Sequence, residues 1–180
     1  SITTASTTTN ITELDAAVTF AIASTPSISE DAEETATFTI SLGGTLTGTN
    51  TASVDIAASG DAISGTDYEN FIAAINTAIT GLGATPGVSF DGTTLTFTED
   101  FVGSDFAFSV NAIDDSDVEG TETIIATLSN EVVAAGTASI TTASTTTNIT
   151  ELDAAVTFAI ASTPSISEDA EETATFTISL

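Results

Sequence analysis

An all-β fold, an antiparallel immunoglobulin-like β-sandwich with one short helical insertion, is what this sequence predicts, and three observations predict it. Short runs with an apolar residue at every second position recur along the chain. In "TATFTISL", Phe38, Ile40 and Leu42 fall on one side and threonines on the other. Threonine fills many of the alternate positions, and its β-branched side chain suits a pleated, half-buried surface. Glycine and aspartate punctuate the runs, as at Gly43-Gly44 and Asp91-Gly92, leaving short strands joined by turns at the spacing of a sandwich.

In chain order the runs are "AVTFAIA", "TATFTISL", "TASVDIAA", "GVSFDG", "TLTFTED", "DFAFSVNAI", "TIIATLS" and "TASITTASTTTNIT". One segment departs from the pattern. "NFIAAINTAITGLG" puts Phe71, Ile72, Ile75, Ile79 and Leu82 on one helical stripe, with Gly81 or Gly83 as the stop, so a short helix is expected over about residues 70–82, packed on a sheet. "TTASTTTN" has the composition of a flexible or mucin-like linker, but its β-branched threonines favour a polar edge strand. Asn10-Ile11-Thr12 matches an N-glycosylation acceptor tripeptide.

The chain has 180 residues, 26 of them acidic and none basic, for a formal charge of −26. Such an imbalance is common in disordered chains. Here 41% of residues are hydrophobic, enough to bury a core, so the expectation is a folded, highly anionic protein. A field of one sign excludes nucleic acid and anionic membrane surfaces as partners and favours divalent cations. The absence of cysteine removes disulfides, thiolate metal sites and cysteine nucleophiles together. No run is long and apolar enough to insert in a bilayer as a helix, and the chain reads as an internal piece of a longer protein.

Residues 1–42 return letter for letter as residues 139–180, an offset of 138. Chance cannot produce that identity, and a period of this length is a whole domain rather than a solenoid unit. The parent is therefore expected to be a tandem array of near-identical modules. One period carries 20 of the 26 acidic residues.

Five of those acids crowd into "DDSDVEGTE", at Asp114, Asp115, Asp117, Glu119 and Glu122. An EF-hand loop is the first reading to test, since Asp115, Asp117, Glu119 and Gly120 imitate its early positions. The twelfth position is Ala126, where a bidentate Glu is required, and the flanking helices are missing. Catalysis is not expected. Without His, Cys or Lys no activated nucleophile of the usual kind can be assembled. A carboxylate pair for glycoside hydrolysis would lack an aromatic sugar platform, with one Tyr and no Trp in the chain.

From Ser27 to Asn130 the sequence resembles a Calx-β domain. The resemblance rests on "SISEDAEETATFTISL", then "GDAISGTDYE", then "GTTLTFTEDFVGSDFAFSVNAIDDSDVEGTETIIATLSN", in the family's order, with "TTTNITELDAAVTFAI" matching its terminal acidic cluster. The helical segment between Tyr68 and Val88 is an insertion relative to that pattern. The resemblance implies a Calx-β type sandwich with calcium at one end, held by Glu30, Asp67, Asp114, Asp115, Asp117 and Glu119, with Glu151 and Asp153 in the terminal cluster. It also implies a frame: residues 1–15 as the last strand of a preceding repeat, 16–153 as a complete module, and 154–180 as the first strands of the next.

The expectation for function is a calcium-binding extender module of a long extracellular repeat protein, an adhesin of the RTX kind on a bacterial cell surface. Its partners would be neighbouring copies of the repeat and calcium ions. The alternative is a self-assembling filament or surface-layer subunit that exchanges strands between copies. An intracellular calcium sensor is disfavoured, because a sensor has no need of identical tandem copies.

Overall fold

A computed structural model describes residues 8–9 and 16–180. The expected last strand of a preceding repeat and the Asn10 acceptor tripeptide lie outside the described residues, apart from residues 8–9. The elements are β1 (Ala16–Ser24), β2 (Ser27–Ser29), β3 (Thr35–Gly43), β4 (Ala52–Ser59), α1 (Phe71–Gly81), β5 (Val88–Phe90), β6 (Thr94–Phe97), β7 (Asp105–Asn111), β8 (Glu122–Val133), β9 (Gly136–Thr142), β10 (Ser144–Thr150), β11 (Ala159–Ser162) and β12 (Phe176–Ser179). Every apolar-alternating run of the sequence falls on these strands, one strand to a run except the last, "TASITTASTTTNIT", which divides into β9 and β10.

Two sheets form the sandwich, one in the order β7-β3-β1-β9 and the other in the order β2-β10-β8-β4-β6-β5. Their inner faces are the alternate positions of each strand. Phe20, Phe38, Phe106 and Phe108 of the first sheet meet Val54, Leu95, Phe97 and Ile124 of the second in one buried cluster. Phe38 stacks on Phe108 with ring centroids 5.4 Å apart, and Phe97 meets Phe20 at 6.0 Å. Offset and edge-on aromatic pairs of this kind add to the burial of apolar area.

The sandwich is antiparallel except at two places. β1 runs parallel to β9, and β2 runs parallel to β10. The cause is a paired change of sheet: the chain leaves the first sheet through Thr25-Pro26 between β1 and β2, and again at Ala143 between β9 and β10. Proline cannot donate to a ladder, which suits the crossing point. The Thr147 hydroxyl ties the two crossings together, donating to the Thr25 carbonyl at 2.6 Å. The threonine-rich run at residues 141–148 is thus strand on both sides of Ala143, as its composition favours. Its β9 part is an edge of the first sheet, but β10 is not an edge, since it lies between β8 and β2, with Thr147 and Ile149 buried.

The helix begins one residue after Asn70, whose Oδ1 accepts from the Ala73 N–H at 2.9 Å. It ends before Gly83, whose φ of +96° is the left-handed conformation that glycine adopts at little cost. Phe71 and Ile75 are buried, and Phe71 meets Phe108 edge-on at 4.9 Å. The buried stripe is narrower than the sequence suggests, since Ile72 and Leu82 are exposed. Through Phe71 and Ile75 the helix joins the core cluster beside Phe38 and Phe108, packing against β7 of one sheet and β5 of the other.

Residues 154–180 are the second copy of residues 16–42. Their strands β11 and β12 form a two-stranded sheet of their own, with exposed side chains throughout.

Candidate metal centre

Four loops end at one pole of the sandwich. β2 runs alongside β10, Thr150 opposite Ser29, so Glu30 and Glu151 emerge together. β4 is antiparallel to β8 with Ser59 opposite Ile125, which delivers the segment after Ser59 to the same pole as Glu122. Gly60, at φ +118°, makes that turn so close to the β8 backbone that a Cβ there would run into the Thr123 carbonyl. The segment is then stapled to the acidic run, since the N–H of Ile113 donates to the Asp67 carbonyl at 2.9 Å and that of Glu69 to the Asn111 carbonyl at 3.0 Å.

At the centre, one carboxylate oxygen each from Asp67, Glu119 and Glu122 lie within 4.8 Å of one another. Asp67 is 3% exposed, and its Oδ2 accepts from the Ile63 N–H at 2.6 Å. Glu30, 5% exposed, stands beside them. Burial, then the charges of Asp115, Glu151 and Glu119, push its carboxyl above the usual range against a hydrogen bond from the Asp115 backbone. Burial and a hydrogen bond shared with Asp67, with the charges of Asp67, Glu119 and Glu30 behind them, push Glu122 up to about 7. Glu119 is raised by desolvation and by Asp67, Asp115, Asp117 and Glu151.

Glu151 joins the centre to an outer group. Its Oε2 accepts from the N–H groups of Glu119 and Gly120, at 2.7 and 2.8 Å, while its Oε1 is buried without a hydrogen-bond partner. Such an orphaned buried oxygen is uncommon and calls for a missing partner. Asp153 is raised by desolvation and by Asp31, Glu151, Asp114 and Asp115, which marks those five as neighbours. Asp115 Oδ1 accepts from the Asp117 N–H at 2.7 Å, shaping the acidic loop from within.

All eight residues expected from the sequence, Glu30, Asp67, Asp114, Asp115, Asp117, Glu119, Glu151 and Asp153, therefore lie at one pole. Two more stand with them. Glu122 is central, and Asp31 holds the Leu152 N–H at 2.9 Å. Glu122 had a signal in the sequence: it shares the parity of Ile124, Ala126 and Leu128, the inward face of β8, so it points inward from the strand's end. Asp31 had none.

The donor set is hard oxygen from several segments, with no nitrogen or sulfur ligand and no basic side chain in the chain. That chemistry fits calcium, which takes six to eight oxygens at about 2.3–2.6 Å in irregular geometry, and fits zinc or copper poorly.

No family model matches this chain, and neither does any curated protein. Among solved structures, it is similar to the apo-form Calx CBD1 domain, with a TM-score of 0.45 and 15% identity over 77% of this chain and 99% of that one. It is also similar to CBD12 from CALX1.2, with a TM-score of 0.46 and 19% identity over 76% of this chain and 44% of that one. The calcium binding domain CBD12 of CALX1.1 matches with a TM-score of 0.45 and 18% identity over 79% of this chain and 47% of that one.

Proposed function

We propose that residues 16–153 are a calcium-binding structural module of the Calx-β type, used in tandem to extend a long extracellular repeat protein, an adhesin on a bacterial surface. The observation that carries it is the meeting of Asp67, Glu119 and Glu122 oxygens within 4.8 Å at one pole, in a chain with no cation of its own. Carboxylates this close repel one another strongly where water is partly excluded. Calcium bound there would supply the missing charge. Glu30, Asp67, Glu119, Glu122 and the orphaned oxygen of Glu151 would hold it, tying four loops into one rigid pole. The module's role is mechanical rather than catalytic.

The course of the chain supports a tandem role. Ala16 starts β1 opposite Gly136 at the far pole, and Asp153 leaves beside Asp31, Asp114 and Asp115 at the acidic pole. Residues 136–150 run extended between them, roughly 40 Å at the rise of a strand. Successive modules would therefore line up end to end, each acidic pole at a joint. The filament alternative, with hairpins exchanged between chains, draws on the exposed copy at residues 154–180. Exchange of identical hairpins exposes one for each that it buries, so it gains no net burial, and the tandem array is the stronger reading.

Thermal unfolding with and without calcium tests the proposal. One site that binds only the folded state stabilises by about 2.7 kcal/mol at a hundred times its Kd. Extracellular modules bind calcium at about 10⁻⁴–10⁻³ M, so the titration must reach tens of millimolar. Calcium should raise Tm, a chelator should reverse it, and magnesium should substitute poorly. A melting curve indifferent to calcium over that range would remove the metal from the proposal.

A further inference from the structure

The repeat places one sequence in two environments within a single molecule. In the module, Val18, Phe20, Ile22, Phe38 and Ile40 are buried. Their copies Val156, Phe158, Ile160, Phe176 and Ile178 are exposed: Phe158 by 73% against 0% for Phe20, and Ile178 by 70% against 0% for Ile40.

Over the four residue pairs nearest the turn the backbone of the copy is nevertheless that of the module, although residues 154–158 are not in a strand as residues 16–20 are. Ile160 pairs with Ile178 as Ile22 pairs with Ile40, and Ser162 with Phe176 as Ser24 with Phe38. The connecting turn repeats too. Glu171 has φ +48° where Glu33 has +47°, and the Ser167 N–H donates to Glu172 at 2.8 Å where Ser29 donates to Glu34 at 2.7 Å. At the far end of the turn, the Thr175 N–H donates to the Thr163 hydroxyl as Thr37 donates to Thr25, 3.1 Å in each case.

The register nearest the turn and the turn itself thus form without the sandwich, which supplies the cover and lengthens the strands from the four residues of β11 and β12 to the nine of β1 and β3. A two-stranded sheet is at best marginally stable by itself, and a contiguous apolar face on it marks an interaction surface. We infer that residues 154–180 are a docking face, preformed along β11 and β12, whose occupant is a further copy of residues 43–153 on the same chain. The first copy shows the fit: β7 and β9 flank the hairpin, and Leu95, Phe97 and Ile124 of the opposite sheet cover it. The inference rests on the tandem part of the proposed function and is independent of calcium.

The test lengthens the 180-residue chain by a second copy of residues 43–153 after Leu180 and compares both chains by calorimetry in saturating calcium. The lengthened chain should absorb about twice the unfolding heat of the shorter one, since enthalpy scales with the residues that fold cooperatively. Phe158→Ala should lower the transition of one of its two modules as Phe20→Ala lowers that of the other. In the 180-residue chain Phe158→Ala should move Tm by no more than about 1 °C, as surface substitutions do. The gentler Ile160→Val should give a smaller drop in the same transition, so a misfolded alanine variant does not leave the outcome open. A lengthened chain with the heat of one module, or one indifferent to both substitutions, overturns the inference. So does a dimer of the 180-residue chain that Phe158→Ala dissolves, which would give the face to a second hairpin. Calcium titration of the 180-residue chain separately tests the metal centre.

Discussion

Glu122 and Phe38 sit about equally deep in the logic of the molecule and respond oppositely to removal. Phe38 is fully buried between Phe71 and Phe108, at 5.5 and 5.4 Å, so Phe38→Ala should cost roughly 3–5 kcal/mol in urea unfolding, with or without calcium. Glu122→Gln removes one charge from a repelling group. It should leave the calcium-free protein as stable or more so, and weaken calcium binding. The pH profile separates the two further. Glu122 rises from its ordinary 4.5 to about 7 in the folded protein, so its protonation favours folding fully below about 4.5 and loses that effect as pH rises through 7. Glu30, Glu119 and Asp153 shift the same way. Asp55, held down by hydrogen bonds from Thr94 and Asn130, acts only at more acid pH. The calcium-free chain should therefore gain stability from about pH 8 to about pH 5, with a flatter slope in Glu122→Gln, while calcium affinity falls over the same interval. A flat profile in the unsubstituted chain would contradict this electrostatic account.

At the scale of elements, strands were the easiest thing to read and their neighbours the hardest. Alternation located each run of the module because one face of each strand is buried or, in β9, half-buried, and burial is what alternation records. It missed β2, three residues long and too short to alternate. It also misjudged β10, since threonine tolerates an edge and an interior position alike; the parallel partner β2, invisible in the sequence, decides the matter. The helix was legible from its period, but not which of its apolar residues would be covered, because that depends on how it seats against β7 and β5. Its start rests on one side chain. Asn70→Ala removes the cap on the Ala73 N–H and should cost about 1 kcal/mol by thermal or urea unfolding. Asp114, Asp115, Asp117 and Glu119 stood out by their crowding, whereas Glu30, Asp67, Glu151 and Asp153 were legible only through the family pattern. No local rule brings Glu30, Asp67 and Glu151 together: the paired change of sheet sets Glu30 beside Glu151, and the pairing of β4 with β8 brings Asp67 to them.

For the molecule as a whole, the module should be independent of its appended hairpin. A chain cut to residues 16–153 should keep the unfolding midpoint of the full chain in calcium, because residues 154–180 are exposed throughout β11 and β12. A large loss would move the module's boundary. The placement of the two chain ends of the module has a further consequence, for fidelity of assembly. An array of identical repeats invites threading errors, in which one repeat's strands take their place in another, a known failure of repeat proteins. The nearest impostor is residues 154–180, identical to residues 16–42 and joined to the module directly. To usurp β1 in its own module, residue 154 would have to start at the far pole, beside Gly136, while residue 153 stays at the acidic pole. One peptide link spans about 3.8 Å, against the roughly 40 Å that separates the poles. In the tandem array proposed above, the geometry that would line modules up would also keep each from being completed by the wrong copy, so identical repeats would fold without a sequence label to tell them apart.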